Sequence, residues 1–102
     1  MKIILLLRHA KSSWENADLD DFDRPLAGRG LEDAPRMGKY LRKIGYKPDY
    51  IVSSPAVRAK QTTRLCVEAM KKDEGIINWD QDLYFNSALD YVRAIQQAPE
   101  KA

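Results

Sequence analysis

Ile3-Ile4-Leu5-Leu6-Leu7, followed at once by Arg8-His9, is the stretch on which the fold reading turns. Its apolar residues do not alternate with polar ones, so Lys2 to Leu7 reads as a strand buried on both faces. Such strands occupy the middle of parallel α/β sheets, where helices cover both sides. The run is too short for a secretory apolar region and has no small-residue cleavage site after it. No segment approaches the roughly 20 apolar residues that a membrane span needs.

Downstream, Ser13 to Gly30 is polar and turn-rich, and is expected to form a long loop over the sheet's edge. From Leu31 the period changes. Leu31, Ala34, Met37, Leu41 and Ile44 recur at spacings of three and four and predict one face of a helix ended by Gly45. Tyr50-Ile51-Val52-Ser53 predicts a second strand. Ser54 as N-cap and Pro55 as first helical residue predict the start of a second helix, with Ala59, Thr63, Cys66 and Met70 inward. Lys71 and Lys72 are expected in its last turn, where cations suit the helix dipole, and Gly75 is expected to close it. Ile76 to Trp79 predicts a third strand, Asp80 to Ser87 a loop, and Ala88 to Gln97 a third helix through Leu89, Val92, Ala94 and Ile95.

The order β-α-β-α-β-α argues for an α/β fold of three layers, with a mostly parallel central sheet flanked by helices. At 102 residues the chain is expected to be a single domain. It stops after a helix, where the alternation asks for another strand, so the reading is of a fold whose C-terminal strand or strands are missing.

Composition excludes several classes of function. Hydrophobic residues are 44% and charged residues 31% of the chain, a globular balance. A net charge of +2 from 17 basic and 15 acidic residues, with no basic stretch, argues against nucleic acid as a partner. The single cysteine, Cys66, excludes an internal disulfide and a multi-cysteine zinc site. It reads as a small apolar helix residue in a reducing, cytoplasmic setting. Asp18, Asp20, Asp21 and Asp23 fail as an EF-hand loop. Counting from Asp18, Phe22 stands at the fifth position and Arg29 at the twelfth, so no metal is expected and the aspartates read as loop caps and solvated charges.

In parallel sheets, ligands bind beyond the carboxyl ends of the strands. Arg8, His9, Lys11 and Ser12 leave the first strand; Ser53 to Arg58 leave the second. If those strands are neighbours, Arg8, His9 and Arg58 converge. Arg58 stands in the first turn of a helix, where the dipole disfavours a cation by a few tenths of a kcal/mol up to ~1. An anion bound there would complete the arrangement; a local Glu or Asp, or solvent, would serve equally. A lone histidine after a strand is commonly structural. An adjacent arginine disfavours its imidazolium and keeps the ring a neutral nucleophile. Two guanidinium groups would grip a phosphoryl group by charge-assisted bonds, and phosphoryl transfer is catalysed chiefly by such positioning.

Leu6-Leu7-Arg8-His9-Ala10-Lys11-Ser12-Ser13-Trp14 resembles the arginine-histidine signature of the histidine phosphatase (phosphoglycerate mutase-like) superfamily. Three further stretches agree in the family's order: Asp23-Arg24-Pro25-Leu26 with Arg29-Gly30, then Val52 to Thr62, then Asp82-Leu83-Tyr84. Together they are most similar to the small phosphohistidine phosphatase branch. The resemblance implies that His9 is the nucleophile, transiently phosphorylated, with Arg8 and Arg58 as the phosphate clamp. It further implies that Arg24 contacts the phosphoryl group, unless it pairs instead with a neighbouring aspartate, and that Lys11 and Ser12 donate hydrogen bonds. No cofactor is implied. The implied substrate is a phosphorylated one, a phosphohistidine protein or a small phosphoester.

Two departures qualify that likeness. The family's pocket has a second histidine late in the chain, whereas this sequence has one; its absence agrees with the missing strand. Asp82-Leu83-Tyr84-Phe85 offers no equivalent of the glutamate general acid of mutase-like members. A departing imidazole needs little protonation help and a sugar alkoxide far more, so the lack leans toward phosphohistidine. A phosphate-binding remnant without turnover, and an interaction domain with no phosphate role, are the competing readings.

Overall fold

A computed structural model describes Leu7, Ser13 and residues 19–46, 48–84 and 88–99 of the chain. The expected first strand lies, Leu7 apart, outside the described residues. Two short strands follow in sequence, β1 (Ile51–Ser53) and β2 (Ile77–Trp79). They pair in parallel with Ile51 opposite Ile77 and Ser53 opposite Trp79. Three helices complete the framework: α1 (Gly28–Lys43), α2 (Val57–Ala69) and α3 (Ala88–Gln97). The expected strand–helix alternation and parallel pairing are present.

Helix α1 begins at Gly28, three residues before the expected apolar period and inside the stretch expected to be loop. It also turns a different face inward. Gly30, Ala34 and Gly38 are buried and Leu41 packs on the core, whereas Leu31, Met37 and Ile44 are each more than 40% exposed. Small residues decide the matter because they let α1 approach the backbone of α2. A Cβ added at Gly38 would collide with the carbonyl oxygen of Cys66 and lie 2.8 Å from Cβ of Ala69. Against that face, α2 presents Cys66, Val67 and Met70, which form a core with Ile77 and, at its margin, Leu41 and Ile51. Burial raises the Cys66 thiol above its ordinary value of 9.0, as suits a packing residue.

Helix α2 starts later than the Ser54-Pro55 signal suggested. Ala56, with φ −53° and ψ 141°, outside the helical region, is its N-cap. The Ser54 hydroxyl instead accepts from the Ala56 amide at 3.2 Å, a local turn that delays the helix. Its buried residues include Thr62 and Val67, while Ala59 and Thr63 are only half-buried. The Thr63 hydroxyl bonds that of the buried Ser53 at 2.8 Å, which ties α2 to the end of β1.

The far end of α2 also differs from expectation. The helix stops at Ala69, so Lys71 and Lys72 lie beyond it and Gly75 sits in a separate 3₁₀ turn, Glu74–Ile76. Lys71 itself takes the left-handed conformation, φ 60°, and the Lys72 amide reaches back to the Val67 carbonyl. Gly45 performs the same task after α1 with φ 88°, with the Tyr46 amide on the Leu41 carbonyl, as its sequence position led one to expect.

Trp79 closes β2 against α2, with Lys60 Nζ 5.6 Å and Arg64 Cζ 5.5 Å from its ring centroid. Helix α3 has the expected bounds. Ala94 is buried and Val92 exposed, and the Leu89 side chain lies outside the described residues. Arg93 ties the helix to the segment after β2 through Asp82 at 2.9 Å and Asp80 at 3.5 Å. Among the described residues no helix is long and apolar enough to cross a membrane.

Candidate phosphate-binding site

Beyond the carboxyl ends of β1 and β2, three segments meet. A 3₁₀ turn, Asp21–Asp23, comes from the loop before α1; Arg58 comes from the first turn of α2; Tyr84 follows the 3₁₀ turn Gln81–Leu83 after β2. They are joined by one carboxylate. Asp21 Oδ1 accepts from Arg24 Nη1 at 3.0 Å. Its Oδ2 accepts from Arg58 Nη2 at 2.9 Å and from the Tyr84 hydroxyl at 2.8 Å. The Asp21 carbonyl oxygen takes the other terminal nitrogen of Arg58, Nη1, at 2.6 Å.

Neither arginine dangles. Arg24 is 7% exposed, and its Nε donates to the Ser13 carbonyl at 3.1 Å. The Ser13 amide in turn donates to the Pro25 carbonyl, and the Arg24 amide donates to the Asp21 carbonyl, so the chain on either side of Arg24 is tied down. Leu26 is anchored separately, its amide donating to Gln61 Oε1 on α2 at 2.7 Å. Arg58 has a side-chain exposure of 16% and lies 6.0 Å from the Tyr84 ring, which meets Phe22 edge-on at 5.0 Å. The Asp21 carboxyl is held below its ordinary 3.8, first by the Tyr84 hydroxyl and then by Arg58. Tyr84 is pushed up, by loss of solvent and by its bond to that same carboxylate.

Of the residues singled out from sequence, the structure brings Arg24 and Arg58 together through a shared partner. Both take the carboxylate that was the alternative to an anion, but Arg58's lies 37 residues away in sequence, not nearby. Arg8, His9, Lys11 and Ser12 lie outside the described residues. Asp21 corrects the reading of the aspartates as caps and solvated charges; Asp20 and Asp23 remain exposed. Sequence reasoning missed the roles of Asp21 and of the Tyr84 hydroxyl. The available signal was an aspartate three residues before Arg24, the spacing of one turn.

Asp21 engages one hydrogen on each terminal nitrogen of Arg58, out of the five N–H groups a guanidinium carries. Ala56 has no side-chain oxygen with which to cap α2, whose first-turn amides surround Arg58 in sequence. Oriented guanidinium groups beside a helix N-terminus form a site suited to a tetrahedral oxyanion.

Residues 4–94 match the family model of the histidine phosphatase superfamily (branch 1). The chain belongs to that superfamily. Over 62 residues it is 42% identical to the serine/threonine-protein phosphatase PGAM5 of Xenopus tropicalis, covering 61% of this chain and 22% of that protein. A 2,3-bisphosphoglycerate-dependent phosphoglycerate mutase of Zymomonas mobilis is 36% identical over 73 residues, 70% of this chain and 32% of the mutase. Among solved structures, the candidate phosphohistidine phosphatase SixA from Agrobacterium tumefaciens superposes with a TM-score of 0.82 at 33% identity, covering 92% of this chain and 60% of that one. A protein histidine phosphatase SixA complexed with tungstate, 22% identical, shares the fold with a TM-score of 0.74. The chain thus spans less than two thirds of the length of each of these relatives. The α/β architecture inferred from the strand–helix alternation is that of the superfamily.

Proposed function

We propose that this histidine phosphatase superfamily member is a phosphatase for phosphohistidine or for a phosphomonoester, acting through a phosphorylated His9. The observation that supports it best is the superfamily match over residues 4–94, which takes in Arg8, His9, Arg24 and Arg58, the last two meeting at Asp21 beyond the ends of β1 and β2. In the first step the His9 imidazole attacks phosphorus as the bond to the leaving imidazole or oxygen breaks. Arg8 and Arg58 hold the equatorial oxygens, with Arg24, Lys11 and Ser12 as further donors. Water then displaces His9 from phosphorus and releases inorganic phosphate. No metal or cofactor enters either step. The same proposal takes residues 1–102 as one domain in a cytoplasmic setting, free of nucleic-acid and membrane partners.

The test is turnover of an aryl phosphate and of a phosphohistidine peptide. Activity is expected in the parent chain and abolished in His9→Ala, with a labile phosphoryl group on the parent alone after acid-free trapping. Equal rates in the two proteins would refute the assignment. A second reading, oxyanion binding without turnover, draws on the single histidine of the sequence. Loss of one charge-stabilising donor typically costs ~100- to 1,000-fold in rate. Vanadate or phosphate binding by a chain with no measurable turnover would select it.

A further inference from the structure

We propose that Asp21 is a positioning residue of the phosphate site, fixing the guanidinium planes of the clamp arginine Arg58 and of Arg24, and that Tyr84 fixes Asp21. The inference rests on the phosphatase reading above and adds to it how the clamp is built. Two cations that must converge on one anion repel each other until it arrives, and Arg58 also faces the unfavourable end of the α2 dipole. A carboxylate between them removes both penalties. Asp21 does so with direction as well as charge. Arg58 grips it at two points, the carbonyl oxygen and Oδ2, so its guanidinium plane cannot pivot about a single bond. Arg24 is likewise held at two points, by Asp21 Oδ1 and the Ser13 carbonyl. The Tyr84 hydroxyl shares Oδ2, and its ring is braced by Phe22, so the carboxylate has little freedom to rotate.

Charge and orientation make opposite predictions, which gives the test its edge. Asp21→Asn removes a negative charge beside two arginines. If charge alone mattered, a phosphate would bind more tightly and react no more slowly. If orientation matters, the loss falls on the transition state. Displacements of about 1 Å at a reacting centre cost up to ~100-fold in rate. Geometry-sensitive analogues lose affinity with it.

The experiment compares the parent chain with Asp21→Asn, Asp21→Glu, Tyr84→Phe and, as a surface-carboxylate control, Asp33→Asn. Its readouts are kcat, KM, and the dissociation constants of inorganic phosphate and vanadate. Asp21→Asn is expected to lower kcat ~10- to 100-fold, with KM and phosphate affinity not weakened in parallel, and to shrink the preference for vanadate over phosphate. Asp21→Glu should recover part of the loss. Tyr84→Phe should give a several-fold loss in the same sense, and Asp33→Asn none. A folded Asp21→Asn with the parent's kcat and vanadate preference overturns the inference and leaves the phosphatase reading standing. If Asp21→Asn does not fold, Tyr84→Phe decides by the same criteria. A parent that binds vanadate without turnover leaves the vanadate preference as the deciding number. A parent with neither turnover nor oxyanion binding overturns both proposals.

Discussion

The α1–α2 contact and the Asp21 cluster solve the same problem, joining distant parts of the chain, by opposite means. Between the helices the joint is made of absences. Gly30, Ala34 and Gly38 withhold side chains so that backbone meets backbone, and Cys66, Val67 and Met70 fill what remains. Around Asp21 the joint is made of directed bonds across 37 and 63 residues of sequence, on a carboxylate whose side chain is 40% exposed. Close packing tolerates little change of volume. A carboxylate that open to solvent adds less to stability than to the orientation of the two mostly buried arginines it holds. One region holds the molecule together and the other aims it.

That division predicts different failures. The largest effect should come from the aimed region: Arg58→Ala is expected to lower kcat or vanadate affinity ~100- to 1,000-fold. Its thermal midpoint should move less than that of any α1–α2 variant, as a melting curve would show. In the packed region, Gly38→Ala gains up to about 1 kcal/mol of helix propensity. Overpacking against Cys66 and Ala69 costs typically 1–3 kcal/mol, which wins. Denaturant titration should show a net loss, while phosphate affinity of the folded protein stays at the parent's value. Combining the two changes should give additive free energies; a coupling well above about 0.5 kcal/mol would dissolve the division.

The pH response separates the regions next. Because the folded state depresses the Asp21 carboxyl below 3.8, its stabilisation is complete above that pH and lost as pH falls through the lowered value. Burial raises the Cys66 thiol above 9.0, so the unfolded chain ionises first and stability declines as pH climbs past 9.0. Asp21→Asn should flatten the acid limb of an unfolding-against-pH curve and, by freeing the Tyr84 hydroxyl, ease its far alkaline end, whereas Cys66→Ala should change the alkaline limb alone. The smallest effect belongs to neither region. Lys71→Gly should stabilise by up to about 1 kcal/mol, by relieving the left-handed conformation at the end of α2. Activity should not change.

The same contrast explains what could be read from sequence. Strands and helices announce themselves by local period, so Ile51–Ser53, Ile77–Trp79 and Ala88–Gln97 were legible to within a residue. Which face of α1 turns inward was not, because the period of large residues, Leu31, Met37 and Ile44, competes with that of small ones. Steric closeness to α2 decides between them only in three dimensions. The end of α2 misled for a related reason, since a lysine stands where glycine is usual. At the site, Arg24 and Arg58 were recognisable by type and by family resemblance. Asp21 was one of four aspartates in a six-residue stretch, and only its three-residue spacing from Arg24 sets it apart. Its partners are chosen by topology.

Pairing in parallel gives β1 and β2 a common starting line. Ser53 and Trp79 stand level, and the Asp80 amide on the Ser53 carbonyl adds one more rung. From there the chain spends five residues to reach Arg58 and five to reach Tyr84, and the two arrive at one carboxylate. The lengths of those two runs are therefore a specification in their own right. A residue inserted before Ile77 leaves it intact, whereas one inserted between Trp79 and Tyr84 puts the phenol out of step with the guanidinium.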